Sequence, residues 1–181
     1  IMYFFDDFQF LPKNENVLIH AKIKNINAQI GDYLKTSQLI LEYLEKFNPK
    51  NIIVPTFTHS FTQSGLFNPK ESSSEIGRFS EEVRCSTDSD LRTKDPIFSF
   101  IDLKNKYQLK DCIYLYSFNE TSIFNNIFNE NYVVINIGLT DIVSAQFHAV
   151  EYKANVPYRK FRKFKGKIDG EHYVYNFYCR D

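Results

Sequence analysis

The 181-residue sequence contains no tryptophan, one methionine, three cysteines, six glycines and six prolines. So little glycine and proline excludes collagen-like and low-complexity chains, and a hydrophobic content of 43% excludes a strongly disordered one. Apolar runs of about 18 residues are also missing, so neither a transmembrane helix nor a membrane partner is expected. Cys85, Cys112 and Cys179 lie at no metal-ligand spacing, and their odd number argues against a disulfide framework. A reducing cytoplasm is therefore the expected location.

An excess of charge of either sign is absent too. The chain has 22 Lys and Arg against 22 Asp and Glu, so its formal net charge is zero. Because neutralising nucleic-acid phosphates needs a basic excess or at least a basic face, no nucleic-acid partner is expected. One basic run, 159–167, has two interpretations. It is either an anion-binding patch or a strand edge whose lysines block pairing with another strand.

Aromatic residues are abundant, with 18 phenylalanines and 12 tyrosines. Near the start of the chain, apolar patterns follow one another as strand, loop, helix and strand, which predicts an α/β layer fold with parallel strands. We expect a single domain over 1–181, with a polar, insertion-like segment at 59–96 that holds one short helix near 80–84. Elsewhere we predict strands at 16–20, 52–58, 111–116 and 132–137, a loop at 21–30, helices at 36–47, 121–128 and 142–152, and a hairpin joining 158–165 to 172–179 through Asp169-Gly170.

The sequence FHAVEY places His148 three residues before Glu151. On a helix these positions share a face, so the carboxylate can fix the tautomer and orientation of the imidazole. A histidine held in this way is suited to act as a general base near neutral pH. The alternative is a structural histidine paired with a neighbouring acid, because such pairs also arise from composition alone.

Other familiar chemical motifs are missing from the sequence. It contains no GxGxxG or GxxxxGK phosphate loop, no HExxH metal motif and no GxSxG nucleophile elbow. We therefore expect neither a metal site nor a covalent nucleophile. His20 ends the first predicted strand, where α/β folds place their ligands, although a loop histidine with an ordinary hydrogen bond is the alternative.

Eight segments of the sequence together carry a family resemblance. They are VLIHAKIKNI (17–26), IIVPTFTHSF (52–61), IGRFSEEVR (76–84), LRTKDPIFSF (91–100), ETSIF (120–124), INIGL (135–139), FHAVEY (147–152) and VPYR (156–159). In this order and at these spacings they resemble the aminoglycoside 3-N-acetyltransferases, also called the antibiotic N-acetyltransferases. The PTFT, RxxDPxxS and HxxE signatures are short individually, but their joint order is specific. Together the matching segments cover roughly 14–181.

The resemblance implies a layered α/β/α fold with a central mixed sheet, distinct from the GNAT acetyltransferases. It implies transfer of an acetyl group from acetyl-CoA to an amine on a sugar-like ring. The family's general base falls on His148, its acidic partner on Glu151, and an assisting late aspartate on Asp181 by spacing.

Binding residues are also implied by the resemblance. His20 falls at the acetyl-CoA end of the site, with the pantetheine arm near 21–26, and backbone N–H groups near 56–58 are candidate donors to the oxyanion. The cofactor-binding candidates are His20, Ala21, Lys22, Ile23, Thr56, Phe57, Thr58 and Ser99. The substrate-binding candidates are Arg84, Arg92 and Asp95, with the alternative that Arg92 and Asp95 tie a long loop together.

The zero net charge separates this chain from aminoglycoside resistance enzymes, which tend to be acidic because their substrates are polycations. The overall field of a neutral chain would not steer a polycation. We therefore expect a small-molecule acceptor with a single amine, an amino sugar linked to a nucleotide or a polysaccharide. The alternatives are aminoglycoside 3-N-acetylation, as in resistance, and a non-catalytic module that binds CoA or a sugar. Assembly as a homo-oligomer is left open.

Overall fold

The computed structural model describes residues 13–180, and this range holds seven strands and six helices. The strands are β1 (Asn16–Ala21), β2 (Asn51–Pro55), β3 (Leu66–Phe67), β4 (Phe100–Asp102), β5 (Val133–Ile137), β6 (Arg159–Ile168) and β7 (Glu171–Arg180). The helices are α1 (Lys24–Ile30), α2 (Tyr33–Glu45), α3 (Phe61–Ser64), α4 (Arg78–Ser86), α5 (Ile123–Asn129) and α6 (Gln146–Lys153).

A mixed four-stranded sheet with the order β4-β2-β1-β5 forms the centre of the molecule. Strand β1 runs parallel to both β2 and β5, while β4 pairs antiparallel with β2. The residues of β2 are all buried, as expected for a strand covered on both faces. Because β1, β2 and β5 are parallel, their carboxyl ends meet at one edge of the sheet.

Helices cover both faces of this sheet. Alternate residues of a strand face opposite sides, and Val17 and Ile19 of β1 pack in one core cluster with Phe79 of α4. Leu18, which lies between them, packs in a second cluster with Phe124 of α5. The layered α/β/α fold with a central mixed sheet is thus confirmed.

The hairpin forms a second, three-stranded sheet with the order β3-β6-β7. Its turn is Asp169-Gly170, where φ is 52° and 89°, and glycine adopts such positive values without a steric penalty. Strand β3 pairs with the last two residues of β6, so it covers only the end of that edge. Most of the basic run therefore lies on an uncovered stretch of β6, where lysines hinder pairing with another chain.

Several regions differ from the sequence predictions. The segment 59–96, expected to hold one short helix, contains α3, β3 and α4. The predicted loop at 21–30 contains the helix α1, which ends at Gly31 in a left-handed conformation. The predicted strand at 111–116 forms only isolated bridges, because this stretch contacts Lys94 and Asn176 at single points. Helix α2 begins three residues early because the Asp32 side chain accepts a hydrogen bond of 2.9 Å from the backbone of Lys35.

One close backbone contact shapes the edge where the parallel strands end. Gly138 follows β5 with φ of +63°, and a Cβ atom there would collide with the carbonyl oxygen of Lys22. The backbone N–H of Lys22 donates to the carbonyl of Ile137 at 2.8 Å, which fixes the chain after β1 against the chain after β5.

Within residues 13–180, every helix is too short or too polar to cross a bilayer.

Candidate active site

A cavity of about 630 Å³ opens at the carboxyl ends of β1, β2 and β5. This is the edge at which open α/β sheets bind their ligands. Its walls come from the chain after each of these strands and from the starts of α2, α4 and α6. The lining residues are His20, Ala21, Lys22, Ile23, Lys24, Tyr33, Phe57, His59, Ile76, Gly77, Arg78, Ser80, Phe98, Leu139, Val143, Ser144, Ala145 and His148.

His20 stands in the wall of this cavity at the end of β1. The side chain is buried, with 8% of the residue exposed, and burial lowers its pKa to about 4. The imidazole is therefore neutral at physiological pH. Its Nε2 atom is buried without a hydrogen-bond partner among the described residues, and a buried polar atom of this kind is unusual unless a ligand or water completes it.

His148 lies on α6 and also lines the cavity. Its Nδ1 atom is 2.7 Å from Oε2 of Glu151, three residues further along the helix. A carboxylate can only accept a hydrogen bond, so the proton between them belongs to Nδ1. This tautomer leaves the lone pair of Nε2 as the ring's proton acceptor.

Glu151 is held by two further side chains. The Tyr158 hydroxyl donates to Oε1 at 3.0 Å, and Nε of Arg159 lies 2.9 Å from Oε2. Desolvation alone would raise the pKa of Glu151. The hydrogen bonds from His148 and Tyr158, together with the charge of Arg159, outweigh it and lower that pKa. The carboxylate is therefore ionised at neutral pH.

Tyr158 and Arg159 are neighbours of His148 that sequence reasoning did not place in the site. They sit in the VPYR segment that carries the family resemblance, and this segment was the one available signal. Arg159 was instead grouped with the basic run, because the sequence does not show whether an arginine is exposed or held in an ion pair. Tyr33, His59 and 76–78 also line the cavity without having been named as site residues. Lys24 lines it too, and it lies within the stretch 21–26 that was expected beside the pantetheine arm.

The predicted cofactor-binding residues divide into two groups. His20, Ala21, Lys22, Ile23 and Phe57 all line the cavity. Thr56, Thr58 and Ser99 are buried and do not line it. The backbone N–H groups of Thr56 and Thr58 donate to the carbonyls of Ser99 and Ile97, so they are not free to act as the predicted oxyanion donors.

Thr56, Thr58 and Ser99 instead surround the guanidinium of Arg92, which is 1% exposed. Nε of Arg92 lies within 3.2 Å of the Thr56 and Ser99 hydroxyls, and Nη2 donates to the Thr56 carbonyl at 2.8 Å and to the Thr58 hydroxyl at 3.1 Å. Nη1 donates to the carbonyls of Pro69 and Ser72. Burial lowers the pKa of Arg92 to about 9. We call this group the Arg92 network.

The other two predicted substrate-binding residues also have protein partners and lie off the cavity lining. Asp95 is fully buried, and its Oδ1 accepts from two backbone N–H groups and from the Tyr175 hydroxyl. Burial raises its pKa to about 7. Arg84 makes a bidentate pair with Glu81 and donates to the Lys70 carbonyl at 2.6 Å. Asp181, the third predicted catalytic residue, lies outside the described residues.

The charges that line the cavity are of one sign. Lys22, Lys24 and Arg78 line it, and none of its described lining residues is Asp or Glu. Arg78 is paired with Glu82 at 2.6 Å, while 60% of its side chain is exposed. Cations at the end of a parallel sheet suit an anionic ligand.

Within 13–180, no group of three or more His, Cys, Asp or Glu side chains is arranged to hold a metal ion.

Comparison with known proteins adds two findings. The sequence matches the profile of the family described as aminoglycoside 3-N-acetyltransferase over residues 18–174. No curated protein matches the sequence.

Several solved structures share the fold. The YokD protein from Bacillus subtilis superposes with a TM-score of 0.72 at 16% identity, covering 99% of this chain and 81% of that one. Sisomicin-bound AAC-VIa gives a TM-score of 0.72 at 12% identity over 98% of this chain and 74% of that one. The binary complex of AAC-IIIb with CoASH gives 0.70 at 16% identity over 97% and 72%.

Proposed function

The chain belongs to the aminoglycoside 3-N-acetyltransferase family, and from this premise we propose that it acetylates one primary amine of an amino sugar, with His148 as the general base. Membership makes it an N-acetyltransferase whose co-substrate is acetyl-CoA. The observation that carries the proposal is the pairing of His148 with Glu151 in the wall of the cavity at the ends of the parallel strands.

The cavity suits acetyl-CoA in charge and in polarity. Lys22, Lys24 and Arg78 would hold its phosphates, and Ile23 and Phe57 offer apolar surface to the pantetheine arm. The unpartnered Nε2 of His20 supports a polar ligand group nearby. In this proposal Thr56, Thr58 and Ser99 act indirectly, since the Arg92 network holds the chain on both sides of Phe57 in place.

His148 would supply the proton transfer that the reaction needs. An amine is mostly protonated at pH 7, and its nitrogen must be free of one proton to attack the thioester carbon. Nε2 of His148 accepts that proton while the new N–C bond forms, and Glu151 stabilises the resulting imidazolium. The C–S bond then breaks, and the leaving thiolate of CoA takes up the second proton, which the nitrogen loses as the amide forms. No enzyme nucleophile is required in this scheme.

The same lining residues support a proposal for the acceptor. A polycationic drug is bound most readily by carboxylates, and none of the described lining residues carries one. We therefore propose a single-amine sugar linked to a nucleotide or a polysaccharide. Aminoglycosides are a second candidate, which the family's description and the sisomicin complex of AAC-VIa favour. We also place the reaction in the cytoplasm, which the three free cysteines Cys85, Cys112 and Cys179 support.

A thiol-release assay with acetyl-CoA tests both parts of the proposal. The acceptors are glucosamine, a nucleotide-linked amino sugar and sisomicin, and the product amide is identified by mass spectrometry. We expect turnover with a single-amine sugar and loss of turnover in His148→Ala, while His172→Ala, an exposed histidine at the hairpin turn, retains it. Faster turnover of sisomicin than of either amino sugar would replace the proposed acceptor with an aminoglycoside. Binding of CoA without turnover of any amine would favour a non-catalytic module.

A further inference from the structure

We propose that Arg159 is a positioning residue of the acetyl transfer, which fixes the Glu151 carboxylate against His148. The inference rests on the proposed function, since it assigns a part to Arg159 in the same proton transfer. Arg159 is the first residue of β6, and Glu151 and His148 belong to α6. Its guanidinium therefore connects the hairpin to the helix that carries the base.

Three contacts hold the Arg159 side chain, which is 10% exposed. Nε forms an ion pair with Oε2 of Glu151 at 2.9 Å, although its N–H is not directed at a hydrogen-bond acceptor. Nη2 lies 3.0 Å from Nδ1 of His148, and Nη1 donates to the carbonyl of Tyr178 at 3.4 Å. Tyr158 donates to the other oxygen of the same carboxylate. Both oxygens of Glu151 are thus occupied, and the carboxylate cannot turn without breaking an ion pair or a hydrogen bond.

This arrangement matters because Nδ1 of His148 has two neighbours of opposite hydrogen-bonding character. Glu151 can only accept and Arg159 can only donate, so a single tautomer satisfies one of them at a time. With the proton on Nδ1 and shared with Glu151, Nε2 has a free lone pair and can act as the base. With the proton on Nε2 and Arg159 donating to Nδ1, the ring can accept no proton from an amine at Nε2.

The short contact of 2.7 Å between Nδ1 and Oε2 selects the first arrangement, since two proton acceptors would repel each other at that distance. Arg159 maintains this contact by pairing with the same Oε2 atom. Its loss would free the carboxylate to rotate away and let the imidazole change tautomer. The expected consequence is a lower rate constant for the chemical step, with little change in the binding of acetyl-CoA.

The kinetic test compares Arg159→Gln and Arg159→Lys with Lys163→Gln, an exposed cation on the same strand. The readout is CoA thiol release with the acceptor from the panel above that turns over fastest. We expect Arg159→Gln to lower kcat about tenfold or more while KM for acetyl-CoA changes less than about twofold. Arg159→Lys should recover part of the loss, and Lys163→Gln should behave as wild type.

A double-mutant cycle separates positioning from a merely structural role. If Arg159 acts through Glu151, then Arg159→Gln should cost less than about twofold in a Glu151→Gln background, because the two losses do not add. An equal loss in both backgrounds, or an unchanged kcat in Arg159→Gln alone, would overturn the proposal. A rise in KM with unchanged kcat would assign Arg159 to binding and would also overturn it.

A spectroscopic measurement keeps the proposal testable if none of the acceptors reacts. The ¹⁵N–¹H correlations of the His148 ring, assigned by their loss in His148→Ala, report which nitrogen carries the proton. We expect the Nδ1–H tautomer in the wild type and a mixture in Arg159→Gln. An unchanged tautomer in the variant would then count against Arg159, whereas full activity of His148→Ala would instead remove the proposed function.

Discussion

Arg92 and Arg159 are both held by neighbouring side chains, but their surroundings differ. In the Arg92 network the guanidinium is closed off from solvent, and its partners are carbonyl and hydroxyl oxygens of the loop and sheet. Arg159 instead pairs with a carboxylate beside a histidine of which 37% of the side chain is exposed. The first arginine links one part of the chain to another, and the second stands beside a group that can react.

The two clusters differ in which polar atoms lack a hydrogen-bond partner within the protein. In the Arg92 network all three guanidinium nitrogens have protein partners. In the cavity wall, Nε2 of His20 has none among the described residues, and Nε2 of His148 is turned away from Glu151. Polar groups that satisfy one another stabilise a fold, whereas unsatisfied ones at a cavity are available to a ligand.

The largest effect on stability is expected from Arg92→Met. The substitution removes all the guanidinium donors, so the carbonyls of Pro69 and Ser72 lose the hydrogen bonds from Arg92, which costs about 3 kcal/mol or more of unfolding free energy. Urea titration followed by circular dichroism would measure the loss, with Lys163→Met, at an exposed cation, as the control. Equal stability of the two variants would contradict the assignment of a structural role.

His148→Ala should lower the rate and leave the stability nearly unchanged. We expect kcat to fall by roughly 10²–10⁴, the usual contribution of a general base, while the urea midpoint stays close to that of the wild type. The two variants therefore separate the clusters, one by stability and one by rate. A large drop in the stability of His148→Ala would show that this cluster is structural as well.

The buried neutral His20 predicts a pH dependence of stability. Its pKa is about 4 in the folded state, below the value of about 6.5 for an unfolded chain. The unfolded state then binds more protons between these values, so the stabilisation is complete above pH 6.5 and is lost as the pH falls towards 4. We expect the wild type to lose on the order of 2 kcal/mol more than His20→Gln between pH 7 and pH 4.5. Parallel urea curves at the two pH values measure this difference, and identical losses would contradict it.

A smaller effect on rate than that of His148→Ala is expected from Glu151→Gln. A glutamine keeps the shape of the side chain but does not stabilise the imidazolium, so kcat should fall roughly 10- to 100-fold and less than in His148→Ala. Steady-state thiol release at saturating acetyl-CoA measures it. A loss as large as that of His148→Ala would indicate that the two residues act as one unit, and no loss would place Glu151 outside the mechanism.

The pairing of His148 with Glu151 was predictable because helical periodicity is local and both residues lie within one turn. The position of His20 was predictable because strands end where apolar runs end. Arg159 was not, since it reaches His148 from a different sheet. The Arg92 network was also beyond sequence reasoning. Its members were recognised, but whether an arginine faces a cavity or its own chain depends on loop packing that no spacing encodes.

Several expectations stay predictions. The binding roles of Ala21, Lys22 and Ile23 are supported by their position in the cavity wall and stay predictions. The single domain over 1–181 also stays a prediction. Helix α1 was missed because 21–30 has no clear apolar stripe, and Thr36, taken as a helix start, is buried and bonded to Asn27 at 3.0 Å. The start of α2 is set instead by the local cap at Asp32.

The pairing of β1 with β5 has a consequence for folding. The side chain of Asn16 donates to the carbonyl of Glu130, 114 positions away, at the point where these strands come together. Contacts of such separation close large loops and form slowly compared with helices and hairpins. The wall that brings His20 and His148 to one cavity depends on this pairing. The chain should therefore acquire its helices and its hairpin early, and acetyl-CoA binding should appear with the slowest refolding phase.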